Sequence, residues 1–317
     1  MKELIIATRG SQLALWQSEH IKTLLEKRYS GLKVSLKKMV TKGDKILDTP
    51  LAKIGGKGLF TKELQEQMLK GNAHIAVHSL KDVPVEFPEG LTLAAITKRA
   101  NPNDALLSEK FASIDELPKG AVVGTTSLRR RMQLLKYRPD LNIKNLRGNI
   151  NTRIKKLKDG EYDAIILAAA GVLRLGIENE VKFFSMIDKN IMIPAMGQAA
   201  LGIEIVDKPE IKGLVSFLND KKAVVETTIE RDFVRVLEGG CQVPIGINAE
   251  LKGKEVFVEA IVGMPDASKI IEKRIKIDVD EYEKVGKDLA KMMIDEGARE
   301  LLKASETMVM DIIFKDD

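Results

Sequence analysis

Short apolar runs alternate with longer stretches of helical period along the first two-thirds of the chain. Residues 4–7 (Leu-Ile-Ile-Ala) predict a strand, and residues 13–25 space their apolar positions as an amphipathic helix does. Strands at 34–40, 73–77 and 91–96 follow, with a helix near 61–69. The pattern breaks at Asn101-Pro102-Asn103 and then resumes. A strand at 121–123 leads to a helix that Ser127 can cap and that runs to Tyr137, then a strand at 143–146, a helix at 149–157 and a strand at 164–167. This rhythm predicts an α/β fold with parallel-rich sheets. A second turn signal, Ile193-Pro194-Ala195-Met196-Gly197, precedes a strand at 201–206. From about Lys221 the pattern changes to a helix (224–237), a glycine-rich turn, strands at 245–251, 255–263 and 270–277, and one amphipathic helix over 282–302. That reads as a small α+β domain behind two α/β domains.

Composition narrows the class. At 317 residues, with 44% hydrophobic and 31% charged side chains, the chain is too long for one ordinary domain and too apolar for disorder. Aromatics at 4% argue against a platform for stacking single-stranded nucleic acid. The net charge of +5 is concentrated: residues 129–158 hold eleven cationic side chains against one acid, Asp140, so an anionic partner is expected there. No apolar run approaches a membrane span, and the chain opens on a strand, without a charged leader. One cysteine fits a reducing compartment, so the expected location is the cytoplasm.

Candidate chemistry gathers at turns. Cys241 follows Gly239-Gly240 and precedes Pro244, where neither helix nor strand continues easily, so the thiol is either a reachable nucleophile or attachment point, or a small buried hydrophobe. In Thr8-Arg9-Gly10-Ser11 a strand gives way to a helix start, where Arg9 and Ser11 offer donors to an anion, although Ser11 could merely cap the helix. Residues 42–58, with three glycines around Lys57, fail the phosphate-loop pattern because Gly58 stands where Ser or Thr is needed, and a mobile cationic lid fits better. Phe60 is a core residue or a surface for a flat ligand. The string His78-Ser79-Leu80-Lys81-Asp82-Val83-Pro84 ends a strand in a polar cluster; three histidines and one cysteine without ligand spacing make a metal improbable. The turns Gly124 to Arg131 and Leu146 to Arg153 combine amides, hydroxyls and guanidinium forks suited to carboxylates, with a solvated helix face the alternative for Lys155, Lys156 and Lys158, and a nucleic-acid patch for the whole run.

Taken together, ERDFVRVLEGGCQVPIG, ATRGSQLALWQ, HSLKDVP, VGTTSLRR and LRGN…TR resemble the porphobilinogen deaminase (hydroxymethylbilane synthase) family, in the family order over residues 4–246. The resemblance implies a transferase that condenses four porphobilinogens into a linear tetrapyrrole with loss of ammonia, primed by a dipyrromethane cofactor on Cys241. It implies Asp82 as the catalytic carboxylate, and cofactor contacts from Lys81, Asp82, Thr125, Ser127, Arg129, Arg130 and Gly171. Arg9, Ser11, Phe60, Arg147, Arg153 and Arg174 become substrate-binding. The implied fold is two domains like periplasmic binding proteins, 1–98 with 197–218 and 102–193, then a third over 221–317, acting as a monomer without nucleic acid or membrane. Two other classes stay open on the residues alone. One is a non-catalytic binder of an anion, and the other a cysteine hydrolase using His20, His74 or His78 as base.

Overall fold

The computed structural model describes residues 2–45, 59–238 and 243–315. The chain divides into two compact units: Met1–Ala100 with Ala199–Val224, and Asn101–Gln198 with Val225–Asp317. It therefore leaves the first unit at the Asn101-Pro102-Asn103 break and returns to it after Gly197.

In the first unit, β1 (Glu3–Arg9), β2 (Lys33–Met39) and β3 (Ile75–Ser79) are parallel neighbours, while β10 (Leu201–Val206) inserts antiparallel between β3 and β4 (Leu91–Ile96). The order is β2-β1-β3-β10-β4. One face is covered by α1 (Gln12–Arg28) and α7 (Pro209–Val215), whose Ile21, Leu25, Ile211 and Val215 join Leu4, Ile6, Ile75 and Ile203 in a buried core. Leu64 and Met68 of α3 (Lys62–Leu69) pack with Ala7 and Ala76 in a second cluster. A one-turn helix, α2 (Lys42–Lys45), lies before residue 46; most of the expected lid, 46–58, falls outside the described residues.

The second unit repeats the pattern. Here β6 (Val122–Gly124), β7 (Asn142–Lys144) and β8 (Ala164–Ala168) are parallel, and β5 (Asp104–Ser108) runs antiparallel beside both β8 and β9 (Phe183–Met186), giving β7-β6-β8-β5-β9. The helices are α4 (Leu128–Tyr137), α5 (Ile150–Lys158) and α6 (Ala169–Leu175). The C-terminal part is an antiparallel meander of β11 (Ile245–Lys252), β12 (Glu255–Gly263) and β13 (Ile270–Asp278) under α9 (Tyr282–Asp295) and α10 (Ala298–Lys315). Phe233 of α8 (Lys221–Val236) is buried among Val258, Ala260, Leu289 and Met293. The α8–α9 approach is close: a Cβ on Gly286 would stand 2.2 Å from the Ile229 carbonyl oxygen.

The expected single helix over 282–302 is two helices. Gly297 takes φ +97°, a conformation that side-chain-bearing residues avoid, and its amide bonds back to Ile294 before α10 begins. β5 and β9 were not anticipated. All five residues of β5 are buried, so it shows no alternation, and β9 is too short to establish a period.

Candidate active site

In each five-stranded sheet the residues singled out from the sequence leave the carboxyl ends of parallel strands, where an α/β sheet opens a crevice. In the first unit, Arg9 closes β1 and Asp82 ends the turn after β3. Between them lies a cleft lined by Arg9, Ser11, Gln17, Phe60, Thr61, His78, Ser79 and Asp82 among others. Ser11 does cap α1, its hydroxyl accepting from the Ala14 amide at 3.4 Å, and it lines the cleft as well. Phe60 is half-buried, and the Arg9 guanidinium sits 4.2 Å above its ring centroid. The ring therefore holds the cation at the cleft wall through its negative face. Gln17 donates to Ser79 Oγ at 2.8 Å, tying α1 to the end of β3. Lys81 is half-buried in the same turn as Asp82 but is not among the cleft's lining residues.

The second unit brings three strand-to-helix turns to one edge. Thr125, Ser127, Arg129 and Arg130 follow β6, Arg147 and Arg153 follow β7, and Gly171 and Arg174 lie on α6 directly after β8. Ser127 caps α4 by accepting from the Arg130 amide, and the buried Thr125 hydroxyl accepts from the Ser127 amide at 3.2 Å. Arg153 Nε donates to the Gly148 carbonyl at 2.8 Å, and its terminal nitrogens have no hydrogen-bond partner among the described residues. Burial lowers its pKa to about 10, and the like charges of Arg130 and Arg147 push the same way. Arg174 is also lowered to about 10, by burial. Both guanidiniums still carry their charge at neutral pH, in surroundings that favour an incoming carboxylate.

The remaining arginines are already engaged. Arg129 Nη1 donates to Asp104 Oδ2 at 2.7 Å and to the Ile193 carbonyl at 2.8 Å. Arg130 donates to Asp104 Oδ1 through Nε and Nη2, and to the Ile166 carbonyl through Nη1. Gln198 adds a fourth donor to the Asp104 carboxylate, bonding Oδ1 at 3.1 Å. The two guanidiniums hold the wholly buried Asp104 carboxyl far below the usual range, against the opposing effect of its burial. Arg130 thus spends its fork inside the protein, while Arg129 keeps Nε and Nη2 without a partner among the described residues. Arg138 also serves the fold, donating to Asp140 and to the Ile114 and Leu117 carbonyls. Lys155 pairs with Asp159 on an exposed helix face.

Cys241 lies outside the described residues. Sequence reading missed Asp104, Glu204 and Gln17. Only Asp104 gave a signal, as a lone carboxylate heading an apolar run.

Among solved structures, the Bordetella pertussis BvgS periplasmic VFT2 domain is 14% identical, covering 68% of this chain and 86% of that one with a TM-score of 0.42. Two family profiles match the sequence: "Porphobilinogen deaminase, dipyromethane cofactor binding domain" over residues 4–212 and "Porphobilinogen deaminase, C-terminal domain" over 224–295. The porphobilinogen deaminase of Campylobacter concisus (strain 13826) is 64% identical over 97% of this chain and 100% of its own length. That of Aliarcobacter butzleri (strain RM4018) is 61% identical over 96% and 98%. Matched by both profiles and by relatives over nearly its full length, this chain belongs to the porphobilinogen deaminase family.

Proposed function

We propose that the cleft of the first unit is where this chain performs the family's reaction, with Asp82 as the catalytic carboxylate and Cys241 as the thiol that carries the dipyrromethane. The activity is the stepwise head-to-tail condensation of four porphobilinogens into hydroxymethylbilane, each with release of ammonia. The dipyrromethane, when bound, supplies the free pyrrole carbon to which the first substrate is joined. The carrying observation is the meeting of Asp82 with Arg9 and Ser11 in one cleft at the carboxyl ends of β1 and β3.

The residues fit such a ligand. Porphobilinogen and its oligomers bear acetate and propionate arms on flat rings, which call for guanidinium forks and aromatic faces. Arg9 above Phe60 offers both in one place. Arg153, repelled by Arg130 and Arg147, gains from a carboxylate that offsets that repulsion. Arg147 and Arg174 extend the set along the same edge of the second unit, with Thr125 and Ser127 adding hydroxyls. Loss of ammonia leaves porphobilinogen electron-poor, and a fixed carboxylate beside it lowers the barrier without reorganising at the moment of reaction. One cysteine in 317 residues supports a reducing cytoplasmic setting, and the enzyme is read as a monomer.

Asp82 tests the proposal. Asp82→Asn keeps the shape and removes the charge, and should cost about 10²–10³ in turnover with the cofactor installed. Asp82→Glu keeps the charge one methylene away and should stay measurably active. Asn matching or exceeding Glu, with loading verified by intact mass, would remove the charge from the mechanism.

A further inference from the structure

The chain has three histidines, and the structure accounts for two. His20 is exposed and stacks on Trp16 along α1, with ring centroids 5.2 Å apart. His74 Nδ1 accepts from the Ile5 amide at 2.9 Å, a structural bond. His78 alone lines the cleft, four residues before Asp82.

Behind the His78 ring stands Glu204 of β10, with 0% exposure and Oε2 2.9 Å from His78 Nε2. Strand register explains the meeting. β10 runs antiparallel to β3 with Glu204 opposite Ala76 and Gly202 opposite His78, so Glu204 and His78 are diagonal neighbours on one face. Gln65 of α3 donates to Glu204 Oε1 at 2.8 Å, so each carboxylate oxygen faces a donor. An ionised carboxylate only accepts, which puts the hydrogen on His78 Nε2 and leaves Nδ1 as the basic nitrogen. Nδ1 has no hydrogen-bond partner among the described residues. The other charged groups at the cleft are Arg9 from β1 and Asp82 from the turn after β3. On α3, Glu63 accepts from the Lys42 amide, and Gln65 is neutral, as is Gln17 on α1.

Each condensation has a proton to dispose of. The C–N bond of porphobilinogen breaks with its electron pair leaving on ammonia. A C–C bond then forms from the aminomethyl carbon to the free α-carbon of the terminal pyrrole. Finally the C–H bond at that α-carbon breaks, its electrons return to the ring, and a proton departs. We propose that His78 Nδ1 accepts this proton, with Glu204 fixing the tautomer and becoming half of a buried ion pair when the ring is charged. The imidazolium then passes the proton to water, which restores the base for the next addition. A lone buried carboxylate is costly and a paired one less so, and the difference favours the transfer. Asp82 is left with the electrostatic role, so two carboxylates and one imidazole divide the work. This inference rests on the cleft being the condensation site.

The test uses holoenzyme whose cofactor content is verified by intact mass, as wild type, His78→Gln and Glu204→Gln. Gln at 78 can still donate to Glu204 but takes no proton, and turnover should fall about 100-fold, the usual size of a general base, with KM within twofold. Porphobilinogen deuterated at its free α-carbon should show a larger isotope effect with His78→Gln than with wild type. Independently of activity, long-range ¹H–¹⁵N spectra of the three rings should place the His78 hydrogen on Nε2, and Glu204→Gln should erase that preference and slow turnover about tenfold or more. Turnover of His78→Gln within about threefold of wild type, an unchanged isotope effect, or an Nδ1–H tautomer in wild type would overturn the proposal. If instead Asp82→Asn is as active as wild type, the cleft assignment fails, whatever His78 does. If His78→Gln does not fold, the tautomer in wild type, and its loss with slower turnover in Glu204→Gln, still decide.

Discussion

Asp104→Asn probes the one carboxylate on which the second unit's arginine edge is built. Asp104 receives two donors from Arg130, one from Arg129 and one from Gln198, at 2.7–3.1 Å, with no exposure to solvent. Asn keeps one accepting oxygen but turns an amide donor toward guanidinium donors, and the buried cluster goes from one excess positive charge to two. Removing one partner of a buried, hydrogen-bonded charge set costs about 3–5 kcal/mol, a large part of the roughly 5–15 kcal/mol by which domains are stable. The sign with pH follows from the carboxyl's lowered pKa. The unfolded chain takes up a proton at this carboxyl as pH falls through about 4, whereas the folded protein does not. Wild type therefore holds the full contribution above the ordinary carboxylate range and loses it progressively below. Urea unfolding at equal cofactor content should show a gap of about 3–5 kcal/mol at pH 7, narrowing by about 1 kcal/mol at pH 3. A gap under about 1 kcal/mol at pH 7, or one that does not narrow in acid, would refute the reasoning.

Two further outcomes follow. Arg153→Leu should stall elongation and accumulate a discrete enzyme–oligopyrrole mass, since Arg153 has no carboxylate partner among the described residues, whereas Arg138→Leu should act through stability alone because Arg138 is spent on Asp140 and two carbonyls; intact-mass spectra during turnover separate the two. Gly286→Ala should destabilise by about 1–3 kcal/mol or more in urea unfolding, because its Cβ would meet the Ile229 carbonyl at 2.2 Å, backbone against backbone.

Much of the local structure was legible in the sequence. Strands 91–96, 201–206 and 255–263 coincide with the observed β4, β10 and β12, because turn residues bound each run. The turns bearing Arg9, Asp82 and Arg147 were placed correctly at strand ends, whereas Arg174, expected just beyond a strand end, lies in the last turn of α6. What could not be read was who meets whom. Asp104 engages arginines 25 and 26 positions away, and Glu204 reaches His78 across 126, because the chain forms a whole second sheet before β10 returns beside β3. Sequence spacing carries no trace of such pairings. The same limit made Arg129 and Arg130 look equally available to a ligand, when Arg130 commits its fork to Asp104 and Ile166. β5 escaped notice for a related reason: Asp104-Ala105-Leu106-Leu107-Ser108 is buried on both faces, so the alternation that marks a half-exposed strand is absent.

The central claim is that Cys241 carries a covalent pyrrolic primer for the proposed reaction. Intact mass of the purified, active protein measures it most directly. The account predicts a mass above the sequence by two deaminated pyrrole units, absent from an inactive Cys241→Ala variant; active protein at the bare mass of the chain, or an adduct that survives Cys241→Ala, would contradict it.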